Sequence, residues 1–389
     1  MLTFHLNRNC MIEKIDVLMP ESSQYQVLHH FSQKLFEALC RTGLSCRLLK
    51  GLEIEATLLS DPPDLTICFN GAPQDAEGIF LCDIIQKPHL SYLVDVPYHY
   101  YELLQSPHMA IACVDEFYGE LLDSLRFPNH LFLPHAVERE IFEDTEREKS
   151  FEVVMLASFI DYKIRMQDWK KKFPTYVVKA MQFAVEQTFA DASTSFIEAF
   201  HAELNQQIKQ ITHFDLRAIP YFTIFREIEL CIKGKGRIDL VKALKDLPVH
   251  LFCSEEDQSY WKKALGKKTR TVFHPPIDYA SSYDLMKASR IVLNSSPHIK
   301  RGAQERIFGG LACDALVVTA ENAYLNKIFR NNEDLLLYQP TKLDQLPEQV
   351  SYYLENEEQR RTVAQSGKLK VKQAHTWDHR VKTLMDQIN

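Results

Sequence analysis

Short apolar runs ending in a polar residue recur along this chain, separated by helix-length segments, and that alternation narrows the fold more than any single motif. IDVLM (15–19) reads as a strand and YQVLHHFSQKLFEALCRTG (25–43) as a helix closed by Gly43. DLTICFNG (64–71), HLSYLVDVP (89–97), AIACVDE (110–116) and HLFLPHA (130–136) read as further strands. Strands spaced this widely are not joined by hairpins, so the pattern predicts parallel βαβ units. Ligands of such sheets bind beyond the carboxyl ends of the strands, where Asn70, Asp95, Asp115 and His135 fall.

The pattern stops at the charged stretch EREIFEDTEREK (138–149) and restarts with FEVVMLAS (151–158). The boundaries expected are a first domain over 1–137, a linker over 138–150, a second domain over 151–375 and a terminal helix over 376–389. About 160–230 holds no clear strand and reads as a helical insertion. The alternation then resumes with the helix RIDLVKALKDL (237–247), the strand VHLFCS (249–254), the helix YASSYDLMKAS (279–289) and the strand RIVLNSS (290–296). A helix from Ala303, ALVVT (315–319) and DLLLY (334–338) complete it. A chain of 389 residues suits two hydrophobic cores rather than one. The sequence therefore predicts an α/β protein of two Rossmann-like domains facing a central cleft, with a helical insertion in the second.

Composition excludes several classes. A formal net charge of −7 argues against a nucleic-acid binder, which needs a basic excess. Nine cysteines without a C-x-x-C pair read as buried apolar residues in a reducing compartment. The start MLTFHLNRNCMIEK lacks signal-peptide features, and no apolar run is long enough to span a bilayer. A cytoplasmic protein is expected. No H-E-x-x-H, D-x-D or G-x-S-x-G pattern occurs, so neither a metal site nor a serine-hydrolase elbow is expected.

The stretch RIVLNSSPHIKRGAQERIFGGLACDALVVT (290–319) carries the most chemistry. A buried strand ends at Asn294, a loop carries His298, Lys300 and Arg301, and Gly302 precedes a helix. Ile307, Phe308, Leu311 and Ala312 share that helix's core face, leaving Glu305, Gly309 and Gly310 turned away from it. Unpaired N–H groups and the helix dipole favour an anion at such a start, and a guanidinium can hold a phosphate with two hydrogen bonds. Lys300, Arg301 and Arg306 are thus candidates for a diphosphate, with Asn294 and Glu305 toward ribose or sugar hydroxyls. The alternative is that these are solvated charges and the two glycines are packing positions. KGKGR (233–237) fits no phosphate-loop motif and reads as a surface turn before a helix, and KIRMQDWKKK (163–172) reads as a wet helix face.

In the first half, LVDVPYHYYELL (93–104) places Asp95 at a strand end before Pro97, Tyr98, His99, Tyr100 and Tyr101. Tyrosine and histidine on such a loop suit a sugar or another hydroxylated acceptor. Asp95, His99 and His135 are candidate general bases, and Asn70, Tyr98 and Tyr100 candidate substrate contacts. The alternative for Asp95 is a helix cap, and for His135 a structural role.

Taken in order, PPDLTICFNG, HLSYLVDVPYHYY, ACVDEFYGELL, FLPHAVE, FEVVMLAS, RIVLNSS, RGAQERIFGGLACDALVVT and HTWDHRVKTLM resemble the segments of CgeB-like glycosyltransferases, the spore-maturation type, over most of the chain. The resemblance implies a GT-B fold, a nucleotide diphosphate sugar as donor substrate, no cofactor or metal, and transfer to an unknown acceptor, protein or glycan. Arg306 matches the family's arginine, whereas Gly309 stands where a glutamate is expected and Asp314 replaces the glycine after Cys313. Glu305 lies one turn before Gly309. Two rivals stay open at this point. One is a nucleotide-sugar epimerase of the same shape. The other is a catalytically silent scaffold that binds the nucleotide sugar.

Overall fold

The computed structural model describes residues 12–143, 147–209 and 215–388. The described chain divides into two compact units, one drawn from 1–144, 278–283 and 371–389, the other from 145–277 and 284–370. Each is built on a six-stranded sheet whose described ladders are all parallel. This is the pair of Rossmann-like units the alternation predicts.

The first sheet comprises β1 (Lys14–Leu18), β2 (Ser45–Leu49), β3 (Leu65–Phe69), β4 (His89–Leu93), β5 (Met109–Cys113) and β6 (His130–Phe132), in the order β2-β1-β3-β4-β5-β6. Every residue of β3, β4 and β5 is buried, as expected where helices cover both faces of a parallel sheet. The edge strand β2 gives only a short, interrupted apolar signal in the sequence. Its Arg47 instead holds the fully buried Asp16 with paired bonds of 2.8 and 2.6 Å. The terminal helix Trp377–Ile388 packs on this unit, with Trp377 1% exposed and its ring 5.5 Å from Phe31, 5.9 Å from Phe69 and 6.1 Å from Tyr92. Arg41 anchors the same helix through two bonds to Asp378, 2.6 and 2.7 Å.

The second sheet comprises β7 (Phe151–Leu156), β8 (Val249–Phe252), β9 (Val272–His274), β10 (Ser289–Leu293), β11 (Leu316–Ala320) and β12 (Leu336–Tyr338), in the order β12-β11-β10-β7-β8-β9. Among the described residues four α-helices lie between β7 and β8: Tyr162–Lys172, Thr175–Ala190, Phe196–Ile208 and Tyr221–Ala243. They form the insertion expected from the missing strands. A capping box at Ser195 and Glu198 starts the third of them.

The segment 233–237 is neither a turn nor a helix start: it lies inside the Tyr221–Ala243 helix, with both glycines buried. A methyl group on Gly234 would stand 2.5 Å from the Ile160 carbonyl oxygen. On Gly236 it would stand 2.9 Å from both Pro297 Cγ and Ser295 Oγ. The glycines therefore let the loops after β7 and β10 press onto the helix, which offsets their low helix propensity of about 1 kcal/mol each.

Candidate functional site

In the second sheet the chain runs one way from β7 to β8 and β9, and the other way through β10 to β12. The reversal between β7 and β10 opens a crevice at their carboxyl ends, bounded by the loops after Leu156 and Leu293. Asn294, fully buried, donates through Nδ2 to Ser296 Oγ (2.9 Å) and Thr319 Oγ1 (3.1 Å), while its Oδ1 has no partner. His298 is also buried, and its Nδ1 has no partner. Burial, reinforced by the charges of Lys233, Arg237 and Lys300, pushes the His298 imidazole down to about 3 against the opposing pull of Glu229. It is neutral at any working pH.

Two guanidiniums dominate this crevice. Arg237, on the long insertion helix, donates to the Ser158 carbonyl (3.0 Å) and to Ser158 Oγ (2.9 Å) in the loop after β7. Arg306, in the first turn of the helix Glu305–Ala312, forms a loose ion pair with Glu305 at 3.6 Å, beyond hydrogen-bond length. Burial and then the positive charge of Arg306 lower Arg237 to about 10. Asp257 opposes that shift weakly, and among the described residues no carboxylate is hydrogen-bonded to either guanidinium. Two guanidiniums near enough to lower one another's affinity for the proton favour an anion beside them.

The other basic candidates are already engaged. Lys300 is 2% exposed rather than solvated, and its ammonium donates to the carbonyls of Thr188 (2.6 Å) and Asp191 (2.8 Å). A cation at the carboxyl end of the Thr175–Ala190 helix complements that helix's dipole. Arg301 binds both oxygens of Glu198, at 3.0 and 3.2 Å. Lys300 and Arg301 thus tie the insertion to the loop after β10, and the helix itself begins only at Glu305. Gly302 belongs to the same scaffold: its carbonyl and that of Ile299 each accept from Asn322 Nδ2 at 3.0 Å.

Gly309 and Gly310 are buried, not turned outward. A methyl group on Gly310 would come 2.7 Å from Val317 Cγ2, so this glycine seats the helix on β11. Asp314 adopts a left-handed φ of 58° just past the helix end, with its N–H on the Leu311 carbonyl and that of Ala315 on the Gly310 carbonyl. That is a helix-terminating turn, in which glycine is the usual residue.

In the first sheet the chain reverses between β1 and β3. Asn70, at φ 54°, and Gly71, at φ 140°, end β3. Asn70 Oδ1 accepts from the N–H groups of Val94 (2.9 Å) and Asp95 (3.3 Å), and its Nδ2 donates to Asp95 Oδ2 at 2.8 Å. His89 braces this turn from within the sheet. Its Nε2 lies 3.1 Å from the Gly71 carbonyl and its Nδ1 2.7 Å from Thr66 Oγ1, and burial pushes it down to about 4.

Asp95 is exposed and caps no helix; the segment after it begins with Val96 as its cap. His99 is exposed, between Tyr98 at 4.3 Å and Tyr100 at 6.3 Å, ring to ring. Tyr98 is buried and Tyr100 half-buried, and burial together with Asp95 raises the Tyr100 phenol. Asp115 is structural, since it accepts from Phe117 N at 2.9 Å and starts a helix. His135 is 4% exposed, tilted against Phe31, and its carbonyl accepts from Arg380 at 2.9 Å, so it lies in the interior. The structure thus joins Asn70, Asp95 and the Tyr98–Tyr100 segment, and puts His135 in the packed core.

Among the described residues no group of three or more His, Cys, Asp or Glu side chains is placed to hold a metal. Nor is any described helix long and apolar enough to cross a membrane.

Residues 237–386 match the family model for glycosyl transferase-like proteins, a segment that holds both Arg237 and Arg306. No curated protein matches the sequence. The chain superposes on Anabaena HepE, solved with UDP and glucose, at a TM-score of 0.56 with 11% identity, covering 97% of this chain and 99% of that one. A glycosyltransferase from Rickettsia africae gives 0.57 with 10% identity and 97% of each chain. Sucrose-phosphate synthase from Thermosynechococcus elongatus gives 0.56 with 10% identity, 96% of this chain and 98% of that one. The fold is that of the GT-B glycosyltransferases.

Proposed function

We propose that this protein is a glycosyltransferase that moves a sugar from a nucleotide diphosphate sugar to an acceptor hydroxyl, with the donor's diphosphate held by Arg237 and Arg306. The observation that carries this reading is that guanidinium pair, with no carboxylate hydrogen-bonded to either member among the described residues, at the strand-order reversal of a glycosyl transferase-like segment. In the transfer, the acceptor oxygen bonds to the anomeric carbon as the bond from that carbon to the phosphate oxygen breaks. The acceptor's proton passes to a base, and the nucleotide diphosphate leaves. Negative charge grows on the leaving phosphate, and two preoriented guanidiniums stabilise it there. Asn294, with its unpartnered Oδ1, and Glu305 would accept hydroxyls of ribose or sugar. On the first unit, Asp95 serves as the base, with His99, Tyr98 and Tyr100 around the acceptor.

UDP and UDP-glucose are the first ligands to try, because HepE has been solved with each of them. Calorimetry on the wild type and on Arg237→Ala and Arg306→Ala provides the test. Each substitution should weaken nucleotide diphosphate binding about tenfold to a hundredfold, since a charged hydrogen bond contributes about 1.5–3 kcal/mol. Wild-type affinity in both variants would remove the diphosphate from this crevice.

One observation favours a second reading. Gly309 supplies no carboxylate where the CgeB-like pattern has one, which suits a protein that binds donor without turning it over. Release of free nucleotide diphosphate in the presence of acceptor excludes that reading.

A further inference from the structure

The insertion does more than extend the second unit. The carboxyl end of its Thr175–Ala190 helix meets the ends of β11 and β12 to form a pocket beside the loop after β10. Phe189, Pro297 and Pro340 give this pocket apolar walls, and Glu321, Gln339 and Thr341 give it polar ones. The side chains of these last three have no partner among the described residues. Lys300 forms part of the lining, but its ammonium is committed to the Thr188 and Asp191 carbonyls, and Asp191 contributes a second carboxylate to the wall.

Three properties follow from this lining. Flat apolar surfaces cover the C–H faces of a ring, while an acid, an amide and a hydroxyl accept and donate hydrogen bonds around its rim. The carboxylates make the pocket unfavourable for phosphate. Pro297 links it to the crevice, because one side of this proline packs on Gly236, next to Arg237, while the residue also lines the pocket.

Resting on the donor reading above, we propose that this pocket receives the glycosyl ring of the donor as a neutral polyhydroxylated sugar, and that the helical insertion is the element that selects it. The diphosphate then lies over Arg237 and Arg306, and the sugar extends toward β11 and β12. Lys300 is a positioning residue, which holds the insertion's helix end where it can form the wall.

The test is calorimetry of the full chain with UDP-, GDP- and dTDP-sugars, each paired with its own free nucleotide diphosphate, on wild type, Glu321→Ala, Glu321→Gln and Gln339→Ala. For the sugar nucleotide that binds, Glu321→Ala and Gln339→Ala should each cost about tenfold in affinity, and Glu321→Gln less. The matching free diphosphate should bind all four proteins within about twofold, which also shows that the variants are folded. Equal loss for sugar nucleotide and free diphosphate, or no loss for either, overturns the sugar-pocket inference and leaves the donor reading standing. A wild-type protein that binds neither the free diphosphates nor their sugars overturns the donor reading itself, and this inference with it.

Discussion

Asp95 is exposed yet fixed, because Asn70 bonds its carboxylate and its backbone N–H at once. A base so held can meet an acceptor hydroxyl without first being ordered, which is where proton transfer gains its effect. Asp95→Asn keeps the size and most of the hydrogen bonding but cannot take the proton. It should lower kcat by about 10²–10⁴ while leaving nucleotide diphosphate affinity unchanged, read by steady-state kinetics beside calorimetry. A wild-type kcat would pass the role to His99. The exposed strand-end position of Asp95 was legible in the sequence, because the residue ends a strand before an aromatic loop. Arg237 was not, because its partners Ser158 and Arg306 are remote in sequence and its segment resembles a surface turn. Lys300 misled in the opposite direction: a lysine before a helix start suggests a phosphate ligand, and only the packing of the insertion reveals the carbonyls that it satisfies.

At the scale of elements, the two departures around the helix Glu305–Ala312 separate. Asp314 is a matter of helix termination, since it occupies a left-handed turn that glycine adopts without strain. Asp314→Gly should therefore stabilise the protein by about 0.5–1 kcal/mol, seen as a rise of a few degrees in Tm, with nucleotide binding unaltered. A fall in Tm would mean that the charge near Lys149 matters more than the turn. Lys300→Met tests the insertion. Removing the ammonium leaves the Thr188 and Asp191 carbonyls unsatisfied, at a cost of about 1–3 kcal/mol. Hydrogen exchange should accelerate over 175–208 and stay unchanged in β3, β4 and β5; uniform acceleration would deny Lys300 a local role. Strands with apolar runs were read within a few residues of their true bounds, as DLTICFNG (64–71) was for β3. β2 and β9 were missed for a common reason. Both are edge strands carrying polar or exposed residues, so neither presents the apolar run that marks a buried strand.

For the whole molecule, the buried histidines contribute to its response to acid between pH 7 and 5. His89 is lowered to about 4, His298 to about 3 and His375 to about 3, in each case chiefly by burial. Each is neutral when folded, and His375 must stay so because its Nδ1 accepts from Arg380 at 2.7 Å. In the unfolded chain each regains a pKa of about 6.5 and binds a proton that the folded state refuses. The unfolded state then holds more protons, so stability rises with pH through this range. The full contribution is present above about pH 6.5 and is lost as pH falls toward the folded values of 3 to 4. At pH 5 each histidine should already cost about 2 kcal/mol relative to pH 7, and their sum is comparable to the stability of a typical domain. His89 and His375 belong to the first unit and His298 to the second, so both units should weaken together. Urea titrations at pH 7.5, 6 and 5 should show the midpoint falling steeply below pH 6.5. His298→Asn should flatten that fall, provided the variant folds at pH 7.5. A midpoint constant down to pH 5 would mean that these rings reach solvent in the folded protein, and the neutral His298 in the loop after β10 would be wrong with it.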